Sequence, residues 1–139
     1  MTMTDRQVRP PQPLPWALVT ALGAVALVRP VLSIVGAYDS GPLAKPVGPV
    51  LFTVVIAVAW VGTVVVLRIP RPVPTLTSTG AAYAVFAIAL NLSLQPFLDD
   101  ARPVPPPGVV AVLLVNALQG ALLGLVAQYL QRVLHRSGR

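Results

Sequence analysis

The chain contains no cysteine, and this absence excludes disulfide bonds, thiolate chemistry and cysteine-ligated metal sites. It contains one histidine, His135, and four acidic residues, so a metal cluster or an acid–base pair has few candidate members. His135 lies beside Arg132 and Arg136, where a solvated or headgroup position is expected. No nucleotide-binding, zinc-protease or serine-hydrolase motif is found. The sequence therefore predicts no catalytic residue, no metal site, no cofactor and no enzyme.

Charge is also scarce. Only 10% of residues are charged and 55% are hydrophobic, whereas a soluble domain has about 25% charged residues. One small core cannot bury that much apolar surface, so a lipid bilayer must cover the rest. The net charge of +6 arises from cations between apolar stretches, as is typical of topology determinants. No nucleic-acid partner is predicted, because no basic patch is interleaved with aromatic residues.

Four apolar stretches are long enough to cross a bilayer, which takes about 20 residues. The predicted spans are about 15–37, 46–68, 76–97 and 108–132, within a transmembrane domain over residues 14–135. Residues 1–13 are predicted to be a flexible cytoplasmic tail and residues 136–139 a second tail. The predicted fold class is all-α integral membrane, with four transmembrane helices in an up-down bundle of two hairpins.

Prolines mark the expected helix ends. Pro46 and Pro49 suit the opening turn of the second helix, where no backbone donor is needed. The three prolines of segment 70–74 are expected to close that helix and form a stiff connector. Hydroxyl residues within 75–79 are candidate N-caps for the third helix. Segment 103–107 is expected to be an extended, non-helical link.

The distribution of Lys and Arg predicts the orientation. One side carries the cations of both tails and of the connector between the second and third spans: Arg6, Arg9, Arg68, Arg71, Arg132, Arg136 and Arg139. The opposite side carries Lys45 and Arg102. The positive-inside rule therefore places both termini in the cytoplasm of a multi-pass protein of the cell membrane. A cleaved signal peptide is disfavoured, because Arg29-Pro30 and further apolar residues follow the first apolar run.

One charge lies within a predicted span. If the first helix ends near Ala37, Arg29 lies about 12 Å from that end. Pro30 leaves the carbonyl of Ala26 without its usual donor and should kink the helix. In one interpretation Arg29 extends to the outer headgroups; in another the helix ends at Val28 and residues 31–38 lie in the interface.

The favoured interpretation makes Arg29 a clamp inside the bundle, with anion binding as its functional variant. Its candidate ion-pair partners are Asp39, Asp99 and Asp100, all predicted on the same side of the membrane. Its candidate neighbours are amides within the spans, which form with it a polar cluster or anion site: Asn91, Gln95, Asn116 and Gln119.

Small residues line one face of the third predicted helix and one face of the fourth. They are Gly80, Ala84 and Ala87 on the third, and Gly120 and Gly124 on the fourth. Small residues let helix backbones approach closely in lipid. These two faces are predicted to pack toward the bundle interior or against each other, which we favour over a homodimer seam.

Residues n and n+60 align without gaps across both predicted hairpins, sharing Leu-Ser, then Asp, then Pro-x-Gly-x-Val. This pattern indicates a parallel repeat of two hairpins. The stretch GAAYAVFAIALN at 80–91 and the run Arg29-Pro30-x-Leu32-Ser33 resemble uncharacterised small four-span integral membrane proteins of actinobacteria. The resemblance extends over the whole chain and implies a four-span membrane fold, with no activity attached to it.

Two functions remain open. The favoured one is a structural or interaction protein, as an accessory subunit with a membrane-protein partner or as a self-associating bundle. The alternative is a transporter or channel for a small, anionic solute or lipid headgroup, using Arg29 and the nearby amides.

Overall fold

The computed structural model describes residues 12–97 and 105–137, and over these residues the chain is helical without a strand. The helices are α1 (Trp16–Val25), α2 (Val28–Ile34), α3 (Val47–Val66), α4 (Pro72–Leu94) and α5 (Pro106–Ser137). Two single 3₁₀ turns, Gly41–Leu43 and Gln95–Phe97, precede α3 and follow α4. The predicted all-helical class is confirmed.

Four helical segments are long and apolar enough to cross a membrane: Trp16–Ile34, Val47–Val66, Pro72–Phe97 and Pro106–Arg136. The first combines α1 and α2. In an 18-residue window of each segment, only 11% to 28% of the residues are buried within the protein, and many apolar side chains are exposed, among them Val58, Val66 and Leu114. Such a surface is typical of contact with a membrane or with another protein. The prediction of four candidate spans is confirmed.

Two helices begin earlier than the prolines suggested. α4 begins at Pro72 and its N-cap residue is Arg71. The predicted N-cap within 75–79 is wrong, because Thr75 lies inside the helix and its hydroxyl donates to the Arg71 carbonyl at 2.7 Å. α5 begins at Pro106, so the predicted non-helical link at 103–107 is wrong for its last two residues. The reason is the same in both helices, since the first turn needs no backbone N–H and accepts proline.

The first span is interrupted close to the position that Pro30 predicted. α1 and α2 are separated by a turn at Ala26 and Leu27. Pro30 has no N–H to donate to the Ala26 carbonyl, which instead accepts a hydrogen bond from the Arg29 N–H at 3.2 Å. Because the helix resumes at Val28 and continues to Ile34, the alternative in which it ends at Val28 is wrong.

α2 and α3 end in the same backbone motif. In each, the chain turns through a left-handed residue, which is Gly36 after α2 (φ 73°) and Arg68 after α3 (φ 51°). The next N–H then bonds a carbonyl five residues earlier, at 3.0 Å after α2 and 3.1 Å after α3. After α3, the side chain of Gln131 on α5 adds two hydrogen bonds, to the carbonyls of Val64 (3.1 Å) and Ile69 (3.3 Å). α5 thereby fixes the end of α3.

The closest packing lies between α4 and α5. Gly80 lies against the backbone of Asn116, Gly120 against the backbone of Leu76, and Gly124 against Val73. A Cβ atom at any of these glycines would overlap backbone atoms of the other helix. The contacts run in opposite order along the two helices, so α4 and α5 pack antiparallel. We call this contact, from Pro72 to Ala84 on α4 and from Asn116 to Ala127 on α5, the glycine seam.

The buried core adjoins the glycine seam. It contains Leu76 and Ala127 together with Ala26, Trp60 and Val64. The structure thus brings the small-residue faces of the third and fourth spans together. Ala84 is fully buried, whereas Ala87, one turn further along α4, is only partly buried and lines a cavity instead.

Candidate functional site

A cavity of about 390 Å³ lies between α2 and α4, and we call it the Arg29 cavity. Its volume is within the range of about 300–1,000 Å³ typical of small-molecule sites. The lining residues are Arg29, Pro30, Ser33 and Ile34 of α2, Tyr83, Ala87, Leu90 and Asn91 of α4, and Tyr38 and Pro49. Apolar side chains form most of this wall, and the polar groups converge on it from α2, α4 and the turn after α2.

A second, much smaller cavity of about 20 Å³ also has Arg29 in its lining. Its walls are Ala26, Arg29, Thr53, Ile56, Trp60, Tyr83, Asn116 and Gln119. This volume has room for roughly one water molecule. Arg29 and Tyr83 therefore line both the Arg29 cavity and this small recess.

The structure gathers most of the predicted polar cluster around Arg29. Asn91 shares the Arg29 cavity, and Asn116 and Gln119 share the small recess. Gln95 lines neither cavity, but its Nε2 donates to Asn91 Oδ1 at 3.4 Å. The Asn116 side chain donates to a carbonyl of its own helix, that of Val112, at 2.7 Å.

Asp39, one of the candidate ion-pair partners of Arg29, is not paired with it. Asp39 lies in the exposed turn after α2, and its Oδ1 is 3.5 Å from Lys45 Nζ. The predicted pair of Arg29 with Asp39 is therefore not formed, because the chain turns at Gly36 and carries the carboxylate toward the loop. Asp99 and Asp100 lie outside the described residues. In residues 12–97 and 105–137, no carboxylate lines either cavity and Arg29 has no ion pair.

Tyr38 is the second notable polar group of the Arg29 cavity. Its side chain is 3% exposed, and its ring packs beside Phe52 with the centroids 6.2 Å apart. Gly48 makes room for this ring, since a Cβ there would overlap the ring and the Leu43 carbonyl. Within the described residues, Tyr38 Oη is the buried side-chain polar atom that has no hydrogen-bond partner. Such a group costs about 1–3 kcal/mol when left unsatisfied.

From the sequence alone, Tyr38 is expected near the outer interface as a residue of an aromatic belt, and its place in this cavity is not predicted. No local pattern distinguishes a belt tyrosine from one folded back under a turn. Trp60 and Tyr83 lie deep in their predicted spans, where the sequence favours side chains that fill space between helices. Trp60 is 4% exposed, as that role requires, and its Nε1 also donates to the Leu22 carbonyl across helices at 3.2 Å. Gln131 was missed too, although it shares a helix face with Gly120, Gly124 and Ala127.

The chemistry available at this site is anion recognition. The polar lining supplies a permanent cation, phenol hydroxyls, a serine hydroxyl and amides. No set of three potential metal ligands occurs among the residues that the structure describes. The arrangement can therefore neutralise and hydrogen-bond a negatively charged group next to an apolar wall.

Comparison of the chain with protein-family models, with curated proteins and with solved structures found no match. The fold provides four helical segments that are long and apolar enough to cross a membrane, and Arg29 of the first segment lines a cavity beside it.

Proposed function

We propose that the four spans form an up-down bundle of two hairpins in the cell membrane, with both termini in the cytoplasm. The antiparallel glycine seam and the distribution of Lys and Arg support this topology. The cysteine-free chain allows a direct test with Ser40→Cys and Ser137→Cys. A membrane-impermeant maleimide should label the cysteine at position 40 in intact cells and the one at 137 only after lysis. Labelling at 137 in intact cells would contradict the orientation.

We propose that the protein binds a small anionic solute or an anionic lipid headgroup at Arg29, as a transporter, a channel or an anion-dependent membrane protein. The observation that carries this function is Arg29 itself, a permanent cation in a candidate span that lines a cavity of about 390 Å³. Because Arg29 lies near one end of its span, its cost is below the roughly 2.5–3.5 kcal/mol of an arginine at the centre, and a bound anion would offset that cost.

The neighbouring groups favour an anion over a structural ion pair. The Asn91 amide lines the Arg29 cavity, and Tyr38 of the same wall has a buried hydroxyl without a partner among the described residues. Hydrogen bonds to a charged group contribute about 1.5–3 kcal/mol each.

The two tryptophans offer a test. Trp16 is 60% exposed, whereas Trp60 is buried and lines the recess beside Arg29. In a Trp16→Phe background, iodide drawn to Arg29 should quench the fluorescence of Trp60. Adding Arg29→Gln should weaken the apparent iodide affinity by about tenfold or more, because a charged hydrogen-bond donor is lost.

Arg68→Gln in the same background is the matched control. It removes the same charge from an exposed position that lines neither of the two Arg29 cavities. It should leave the quenching of Trp60 unchanged. Equal quenching with and without Arg29 would contradict anion binding at this site.

The second candidate function is a structural or interaction protein, either an accessory subunit or a self-associating bundle. Ala17, Ala21 and Ala24 are exposed along one side of α1, and Gly62 of α3 has open space around it. Small exposed residues let the helix of a partner or of a second copy approach closely. Purification in mild detergent tests this: a stoichiometric partner or a stable dimer supports it, and a lone monomer contradicts it.

A further inference from the structure

We infer that the anion at Arg29 is a phosphate group carried by a lipid; this inference rests on the proposed anion-binding function. The first reason is the size of the Arg29 cavity. About 390 Å³ is far more than the roughly 30 Å³ that one water molecule occupies in the liquid. A lone halide would leave most of this space to water, whereas a headgroup with its glycerol would fill it.

The second reason is the mixed lining. Pro30, Ile34, Pro49, Ala87 and Leu90 form an apolar wall beside the polar groups. A soluble inorganic anion gains no binding free energy from these apolar side chains. A lipid presents an oxyanion and apolar chain together, and both kinds of lining then contribute to binding.

The third reason is the geometry of the donors. Arginine presents a planar fork of N–H groups that matches two oxygens of a phosphate. The Asn91 carbonyl oxygen accepts from Gln95, which leaves the Asn91 Nδ2 hydrogens available to the cavity. Tyr38 Oη is a further donor, buried and unsatisfied by the described chain. Gln95 thus acts as a positioning residue for a donor amide.

The fourth reason concerns the rest of the headgroup. Arg29 is the charged residue of the described lining, and a cation favours a headgroup whose net charge is negative. Arg29 lies five residues before the end of α2, about 7–8 Å below it, while Ser33 and Tyr38 lie near that end. A headgroup with net negative charge can therefore enter from the membrane interface and reach Arg29.

Native mass spectrometry with a short-chain phosphatidic acid tests this inference on the whole chain. The wild type should retain one lipid, and Arg29→Gln should weaken its affinity by about tenfold or more. Arg68→Gln should retain the lipid like the wild type. Equal retention by Arg29→Gln would overturn the inference.

Tyr38→Phe separates binding from structure. It should weaken lipid binding by about tenfold or more, the equivalent of one hydrogen bond to a charged group. It should also raise the melting temperature of the lipid-free protein, because a buried hydroxyl without a partner is removed. A lower melting temperature together with unchanged lipid binding would overturn the role of Tyr38 and the phosphate geometry with it.

Competition against iodide quenching of Trp60 distinguishes the source of the phosphate. Phosphatidic acid should protect Trp60, and phosphatidylcholine and inorganic phosphate should protect it much less. Protection by inorganic phosphate alone would assign the site to a soluble ion and overturn the lipid. If iodide quenching depends on Arg29 but no lipid reduces it, this inference is overturned and the proposed function stands.

Discussion

The glycine seam and the Arg29 cavity lie on the same helix, α4, and differ in almost every physical respect. In the seam, glycines hold two backbones so close that an added Cβ would overlap the facing helix. Its hydroxyl groups are satisfied locally, as when Thr79 donates to the Thr75 carbonyl at 2.9 Å. Around the cavity, the same helix leaves about 390 Å³ open, and a buried hydroxyl has no described partner.

This difference indicates that the two halves of α4 have different roles. Close packing and satisfied polar groups give the first half its fixed position. Loose packing and unsatisfied donors further along are the features from which ligand sites are built. Arg29 lies in this loosely packed region, and its permanent charge favours a ligand in the open space, which packing alone would not explain.

The largest expected effect comes from adding one methyl group to the seam. Gly120→Ala places a Cβ against the Leu76 backbone, which cannot move aside cheaply. We expect a loss of about 2–3 kcal/mol, at the upper end for overpacked sites. Thermal unfolding in detergent measures it. Gly62→Ala is the control, because nothing lies within 4 Å of its added Cβ, and it should be neutral or stabilising by up to about 1 kcal/mol. Equal effects at both positions would contradict the seam.

An intermediate effect is expected at the tie between α5 and α3. Gln131→Leu removes two hydrogen bonds to the end of α3 and leaves the Ile69 carbonyl without that donor. We expect a loss of about 1–2 kcal/mol. Gln128→Leu on the same helix is the matched control, as Gln128 has no such interhelical bond among the described residues. A destabilisation by the control as large as that by Gln131→Leu would contradict the tie.

The smallest effect on stability is expected in the cavity. Ala87→Leu adds far more volume than Gly120→Ala, but into open space beside Arg29. Stability should change by less than about 1 kcal/mol. Binding should be lost nonetheless, which the quenching of Trp60 by iodide will report. Strong destabilisation by Ala87→Leu, with iodide binding intact, would contradict the assignment of the cavity as an open ligand site.

Much of the fold was predictable from composition, because an uncharged run of about 20 apolar residues has few alternatives to a spanning helix. The helix starts at Pro72 and Pro106 were predicted wrongly, since proline was treated as a breaker at positions where it can open a helix. The interruption beside Pro30 followed directly from its missing N–H.

The site was predictable only in part. Arg29 drew attention as a charge within a span, and amides on a shared helix face indicated its neighbours. Tyr38 was not predictable, because its burial depends on the turn at Gly36 and on the space that Gly48 provides. The pairing of Asp39 with Lys45 depends on the same turn. Both are consequences of tertiary geometry that no periodicity encodes.

The central claim is that Arg29 binds an anion, and a crystal grown in bromide tests it most directly. An anomalous peak is expected within hydrogen-bond distance of the Arg29 guanidinium, in the cavity that Arg29 lines. Peaks confined to surface cations, with the carboxylate of Asp99 or Asp100 bonded to Arg29, would contradict the claim and assign Arg29 to a structural clamp.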